Sequence, residues 1–247
     1  IGLVYSLLLA IACINFKADQ TIVGTALNML GTAAATVIVK AINTTANPDN
    51  VSSVVEYIQP KKAFIFKIGS LEMNWLTIVT AVILVISYIL LYKTKFGLRL
   101  MACGEHPQAA DSVGINVYRM RYAGTTISGA LAGMGGYMYI ATTAGGTCEG
   151  TVAGMGFLAL AIMIFGNWKP VGIALGSLMF GFLKCLSVIY SSLDVHGDGV
   201  YVLAELGLPM YFYNIIPYAT VLIVLAFSAG KSRAPKAEGI PYDKGQR

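Results

Sequence analysis

Apolar runs of about 20 residues, the length of helix that crosses a hydrocarbon core, recur along this chain. No other feature restricts the fold as strongly. Hydrocarbon offers the backbone no water, so every buried N–H and C=O must find a partner inside its own helix or in a closed barrel. Barrel strands would read as alternating segments of about ten residues, and these runs do not alternate. The expected fold is therefore all-α, a polytopic membrane helical bundle. Composition agrees: 56% of residues are hydrophobic and 12% charged, too little charge to cover a soluble domain of this length.

The runs fall at residues 1–14, 21–42, 75–92, 122–142, 152–165, 171–190 and 210–229, predicting about seven crossings. The run at 152–165 is short and is expected to be tilted or broken. The run at 21–42 is rich in Gly, Ala and Thr, as in helices whose backbones approach neighbours closely. The chain opens on Ile1 within an apolar run that lacks a charged leader region or cleavage site. A signal peptide is not expected there, and further helices upstream are.

The net charge of +5 is an orientation signal rather than a nucleic-acid footprint, because the basic residues sit in short loops and the tail with almost none inside the apolar runs. With residues 93–121 on the cytoplasmic side, that side receives Lys17, Lys93, Lys95, Arg99, Arg119, Arg121, Lys169 and the basic tail 230–247. The opposite side receives Asp49, Glu56, Glu72, Glu149, Asp194, Asp198 and Glu205, with Lys61, Lys62 and Lys67 in one long loop. The C-terminus is then cytoplasmic.

Catalytic chemistry is not expected. His106 and His196 fall on opposite sides of the membrane, and no nucleophile–His–acid set is present. Cys13, Cys103, Cys148 and Cys185 are scattered without metal-ligand or disulfide spacing, so no metal is expected. Ala229-Gly230-Lys231-Ser232 imitates the end of a phosphate-binding loop, but Leu225 stands where its first glycine belongs and no strand precedes it. No nucleotide cofactor is expected in this chain.

Segment 93–121 carries the densest pattern. Pro107 suits the first turn of a helix, and Gly114 a left-handed stop, so residues 107–113 are expected to form a short helix. Ala109 and Ala110 would give it a small, smooth surface suited to docking on a soluble partner; an ordinary structured loop is the plainer alternative. Among polar residues within runs, Asn28, Lys184 and Asn214 are candidates for a solute path. Asn28 can equally bond a neighbouring helix, and Lys184 can reach the surface by extending its stem. Gly129 with Gly133, and Gly172 with Gly176, are GxxxG pairs that mark close helix packing.

The stretch Gly97-Leu98-Arg99, Ala102, Gly104-Glu105, Pro107, Ala109-Ala110, Gly114-Ile115 resembles the cytoplasmic loop of ABC importer permeases of the branched-chain amino acid, ribose and nucleoside group. Residues 128–136, 156–161 and 165–172 are similar to the helices that follow it, and the resemblance runs from Asn15 to the tail. Residues 18–28 and 240–247 resemble the nucleoside or simple-sugar branch. The resemblance implies a single transmembrane permease domain over 1–247, in the cytoplasmic membrane, working by alternating access. It implies a separate ATPase that binds ATP and docks at Gly104, Glu105, Pro107, Ala109, Ala110, Gly114 and Ile115. A second homologous permease subunit, an extracellular or periplasmic solute-binding protein and a small-molecule substrate are implied with it. A branched-chain amino acid permease is the alternative within the group. An ion-coupled secondary transporter would place an acidic residue in a span, where none falls; a membrane enzyme lacks its constellation, and a gated channel is separated from the importer by the loop alone.

Overall fold

The computed structural model describes residues 1–50, 52–56, 65–68, 71–142, 147–148, 150–152, 154–189, 209–228 and 234–245. The chain divides into two compact units, Ile1–Ala153 with Pro235–Arg247, and Gly154–Ala234.

The first unit begins with α1 (Gly2–Ala10), which runs into a π turn at Ile11–Asn15. Lys17 then adopts φ 51°, reversing the chain into α2 (Gln20–Ala46). Asp19 starts α2 by accepting the N–H groups of Thr21 at 2.8 Å and Ile22 at 3.1 Å, which would otherwise be orphaned. Along α2 the hydroxyls of Thr25, Thr32, Thr36, Thr44 and Thr45 donate to carbonyls one turn back. Each of these hydroxyls is thereby satisfied within its own helix, as hydrocarbon demands.

Helix α3 (Trp75–Lys93) is started by Asn74, whose side chain accepts the N–H of Leu76 at 2.9 Å. No residue of α3 is buried, and Val82, Val85, Ile86 and Ile89 lie exposed along it. In water that face would cost about 1.5–3 kcal/mol per large side chain; in lipid the cost disappears.

The basic connection is itself helical: α4 (Lys95–Glu105) and α5 (Pro107–Ser112) lead to α6 (Val117–Thr142). Arg119 and Arg121 thus belong to the first turns of α6 rather than to a loop. Thr94 makes the α3–α4 corner by donating to the Leu90 carbonyl at 2.5 Å and accepting the Gly97 N–H at 3.2 Å. A Cβ on Gly97 would overlap the carbonyls of Leu90 and Leu91, so the corner requires glycine.

The all-α expectation needs one amendment. In the polar stretch between α2 and α3, β2 (Ile65–Ile68) pairs antiparallel with β3 (Leu71–Asn74), and β1 (Val55–Glu56) pairs with β4 (Thr147–Cys148). Open strand edges are tolerable only where water satisfies them, and this stretch is not an apolar run. Buried Asn43 ties the end of α2 to it, donating to the carbonyls of Ser52 and Val54 at 2.9 Å each.

The second unit holds α7 (Met155–Phe165), α8 (Pro170–Ile189) and α9 (Met210–Ser228). Asn167 and Trp168 both take positive φ in the tight α7–α8 turn. Phe180 of α8 meets Tyr218 of α9 edge-on at 6.3 Å. Residues 191–208, with Asp194, His196, Asp198 and Glu205, lie outside the described residues, as do Glu149, Lys61, Lys62 and residues 229–233.

Among the described residues three helices are long and apolar enough to cross a membrane, at Gln20–Ala46, Trp75–Lys93 and Pro170–Ser187. Gly2–Asn15 and Met155–Phe165 are shorter apolar helices.

Candidate functional site

Two places in the first unit bring the sequence candidates together. The first is a cavity of about 650 Å³ between α1, α2 and α6. Its walls include Tyr5, Ser6, Gln20, Asn28, Thr125 and Ser128, with glycines 2, 24, 124, 129 and 133 between them.

Small residues make this cavity possible. α1 lies so close to α6 that a Cβ on Gly129 would overlap the Ser6 side chain and stand 2.7 Å from the Gly2 carbonyl oxygen. A Cβ on Gly133 would reach Gly2 Cα at 3.2 Å. Tyr5 fixes α1 to α2 by donating to the Leu27 carbonyl at 2.5 Å. The space left beside them is lined mostly by apolar surface, with the Gln20 and Asn28 amides and the Tyr5, Ser6, Thr125 and Ser128 hydroxyls set into it. No Asp, Glu, Lys, Arg or His lines it. A volume of this size holds a small organic molecule, and a largely apolar lining with a few neutral polar groups and no charge suits an uncharged solute.

The second place is the α4–α5 surface. Pro107 occupies the first turn of α5, and Gly114 ends it at φ 83°, its N–H donating to the Asp111 carbonyl at 2.9 Å. Glu105 and Ala109 are exposed, whereas Ala110 is 4% exposed, inside a core with Cys103, Val117 and Tyr242, with Ile115 packed on its side. The expected shared outward surface of Ala109 and Ala110 is therefore not formed. Ala109 faces out with Gln108, Ser112 and Val113; Ala110 faces the core.

The chain's own tail completes that core, a role no sequence pattern marked. Tyr242 is buried there with its ring edge-on to Tyr118 at 5.4 Å. Ala237 donates its N–H to the Gly104 carbonyl at 2.9 Å, and Arg121 donates Nη1 to the Ile240 carbonyl at 2.9 Å. Asp243 pairs with Lys17 at 2.7 Å. The Lys17 ammonium, with a further N–H from Gly245, holds the Asp243 carboxyl below its ordinary range, and the same bond raises Lys17. Burial pushes the Cys103 thiol up.

The remaining candidates are elsewhere. Lys184 lies half-buried on α8 in the second unit, and Asn214 is on α9 with its side chain outside the described residues. Gly172 does not meet a partner helix: a Cβ there would overlap the Gly166 carbonyl in the α7–α8 turn. Gly176 does meet one, since its Cβ would come within 2.9 Å of Phe165 and 3.1 Å of Ile162 on α7. Among the described residues no cluster of His, Cys, Asp or Glu could hold a metal.

Comparison with known proteins adds an independent line. Residues 1–225 match the family model described as the permease component of the branched-chain amino acid transport system. The chain is 39% identical to the guanosine ABC transporter permease protein NupQ of Bacillus subtilis, across 100% of this chain and 76% of that protein. It is 36% identical to the nucleoside ABC transporter permease protein NupC of Lactococcus lactis, across 99% and 75%. Likeness to the putative glucose ABC transporter permease protein TsgC13 of Haloferax volcanii is 27%, across 92% and 72%. No solved structure gives a significant match.

Proposed function

The chain belongs to the family of branched-chain amino acid transport system permease components, and from that premise we propose that it imports nucleosides as the membrane subunit of an ABC transporter. It is a multi-pass membrane protein and a transport subunit, not an enzyme. The observation that carries the substrate is the likeness over nearly the whole chain to permeases named for guanosine and nucleosides.

The cavity chemistry supports this choice within the family. A branched-chain amino acid brings an ammonium and a carboxylate, and each needs an opposite charge or several aimed dipoles once it leaves water. Gln20, Asn28 and Ser128 offer neutral donors and acceptors, and Ser6 and Thr125, which donate their protons to the Leu3 and Arg121 carbonyls, offer acceptor oxygens; set in a mostly apolar wall, these suit ribose hydroxyls and the face of a base. The same wall suits a simple sugar, a second reading favoured by the likeness to TsgC13. An ion-coupled mechanism is disfavoured, because every Asp and Glu among the described residues lies outside the apolar helices.

The working cycle follows from the parts. A solute-binding protein delivers the nucleoside on the outer side, and this chain with a second permease subunit forms the path in about seven crossings per chain. A partner ATPase binds ATP and seats against the exposed side of α5, around Ala109. The α4–α5 segment and the tail lie on the cytoplasmic side of the cytoplasmic membrane. ATP-driven movement of α5 exposes the cavity to one side and then the other.

Uptake of labelled guanosine, ribose and leucine by cells with and without this subunit tests the reading. Loss of guanosine uptake alone is expected. Loss of ribose uptake alone supports the sugar reading, and unchanged uptake of all three refutes both.

A further inference from the structure

The tail contacts connect two places that the importer reading treats separately. At one end the segment 235–245 is bonded to α4 and α5: Ala237 to the Gly104 carbonyl, Pro235 Cβ 3.6 Å from where a Gly104 Cβ would lie, and Tyr242 in the core beside Cys103 and Ala110. At the other end Asp243 holds Lys17, two residues before the Asp19 cap that starts α2. Within its first three turns α2 then supplies Gln20, Gly24, Leu27 and Asn28 to the cavity wall.

We infer that segment 235–245 is a strap that passes movement of the α4–α5 pair to the start of α2, with Asp243, Lys17, Arg121 and Tyr242 as its positioning residues. The inference rests on the importer reading and gives the tail a part in it. Three observations carry it. Contacts are spread along the strap, to Gly104, Arg121 and Lys17, so a shift of α4–α5 draws on it at several points. Lys17 sits at φ 51°, a left-handed conformation unfavourable for a residue with a Cβ, and it persists only where surroundings hold it. The ion pair to Asp243 is such a hold. Finally, Asp19, whose carboxylate fixes the direction of the first turn of α2, is within the same short loop.

A competing route runs through α6, which packs against both α1 and α4. The two are separated by charge reversal, which cuts the strap at Lys17 without touching α6. In the assembled transporter in liposomes, basal ATP hydrolysis, bound ATPase and the stimulation of hydrolysis by solute-loaded binding protein are measured. Asp243→Lys should leave the first two unchanged and lower stimulation about two- to fivefold, the scale of one exposed pair. Combining Asp243→Lys with Lys17→Asp should restore it; basal hydrolysis and bound ATPase that stay unchanged throughout separate the strap from a merely structural tail, whose loss would lower them too. Unchanged stimulation in Asp243→Lys, or a double variant as impaired as the single, overturns the strap. Stimulation is read with whichever solute the wild-type complex imports. A wild type that imports no nucleoside therefore refutes the substrate reading, while the Asp243→Lys result still decides the strap.

Discussion

Replacing Gly129 by alanine tests whether the α1–α6 contact sets the cavity wall. The new Cβ would overlap Ser6 and stand 2.7 Å from the Gly2 carbonyl oxygen, where ordinary contact begins at 3.4 Å. The obstruction toward Gly2 is backbone, so α1 must retreat by about 1 Å, and overpacking of this kind costs about 1–3 kcal/mol. Alanine also gains about 0.5–1 kcal/mol over glycine in any helix interior. Gly136, on the same helix with nothing within 4 Å of its Cβ position, collects that gain alone. The difference between Gly129→Ala and Gly136→Ala therefore isolates the contact, about 1–3 kcal/mol, or about 2–12 °C in midpoint for a chain of this size. Cys103, 3% exposed, provides the signal: a thiol-reactive dye labels it when the purified subunit unfolds on heating in a Cys13→Ser, Cys148→Ser, Cys185→Ser background. Equal midpoints for the two variants would refute the close α1–α6 approach and the cavity built on it.

Asn28→Ala should raise KM for nucleoside uptake about three- to tenfold, the worth of one or two lost hydrogen bonds, with the subunit still at wild-type levels in the membrane. Unchanged KM would remove Asn28 from the path. Ala109→Glu should abolish uptake and co-purification of the ATPase while leaving the melting midpoint in place, whereas Ala110→Glu should lower the midpoint, because it puts a carboxylate in the Cys103–Tyr242 core. The opposite pattern would reverse the assigned faces of α5. For pH, the lowered Asp243 value means its contribution is complete above the ordinary 3.8 and fades as pH falls through the lowered value. Lys17 is raised, so its contribution is complete below the ordinary 10.5 and fades only above it. The ratio of stimulation in Asp243→Lys to wild type should be flat between about pH 5 and 9; a step within that range would mean another group titrates at the pair.

Local features were readable from the chain because their causes are local. Pro107 and Gly114 delimit α5 through their own backbone preferences, whereas the caps at Asp19, Asn74 and Thr94, equally local, went unread. The polar lining residue Asn28 stood out because an amide within an apolar run needs a reason. Which face of α5 points inward was not readable. A helix of 6 residues has too few turns to define an apolar stripe, and Ala109 and Ala110 are chemically identical. The GxxxG pairs show the same limit. Gly129 and Gly172 carry one pattern, yet one meets a helix and the other a turn, because the pattern records that something comes close without recording what.

The strap lies beyond pattern for a related reason. Asp243 and Lys17 are at opposite ends of the chain, and neither Tyr242 nor Asp243 belongs to a periodic segment that would mark it as core. Only folding brings them to one place. There the core of Cys103, Ala110, Val117 and Tyr242 turns a helix too short to be stable alone into a rigid element. In the proposed docking role α5 must hold its shape to pass on a displacement, and Tyr242 of the tail joins Cys103 and Val117 in packing around Ala110 to hold it. Loss of the tail should therefore weaken coupling even though Pro107, Ala109 and Gly114 all remain in place.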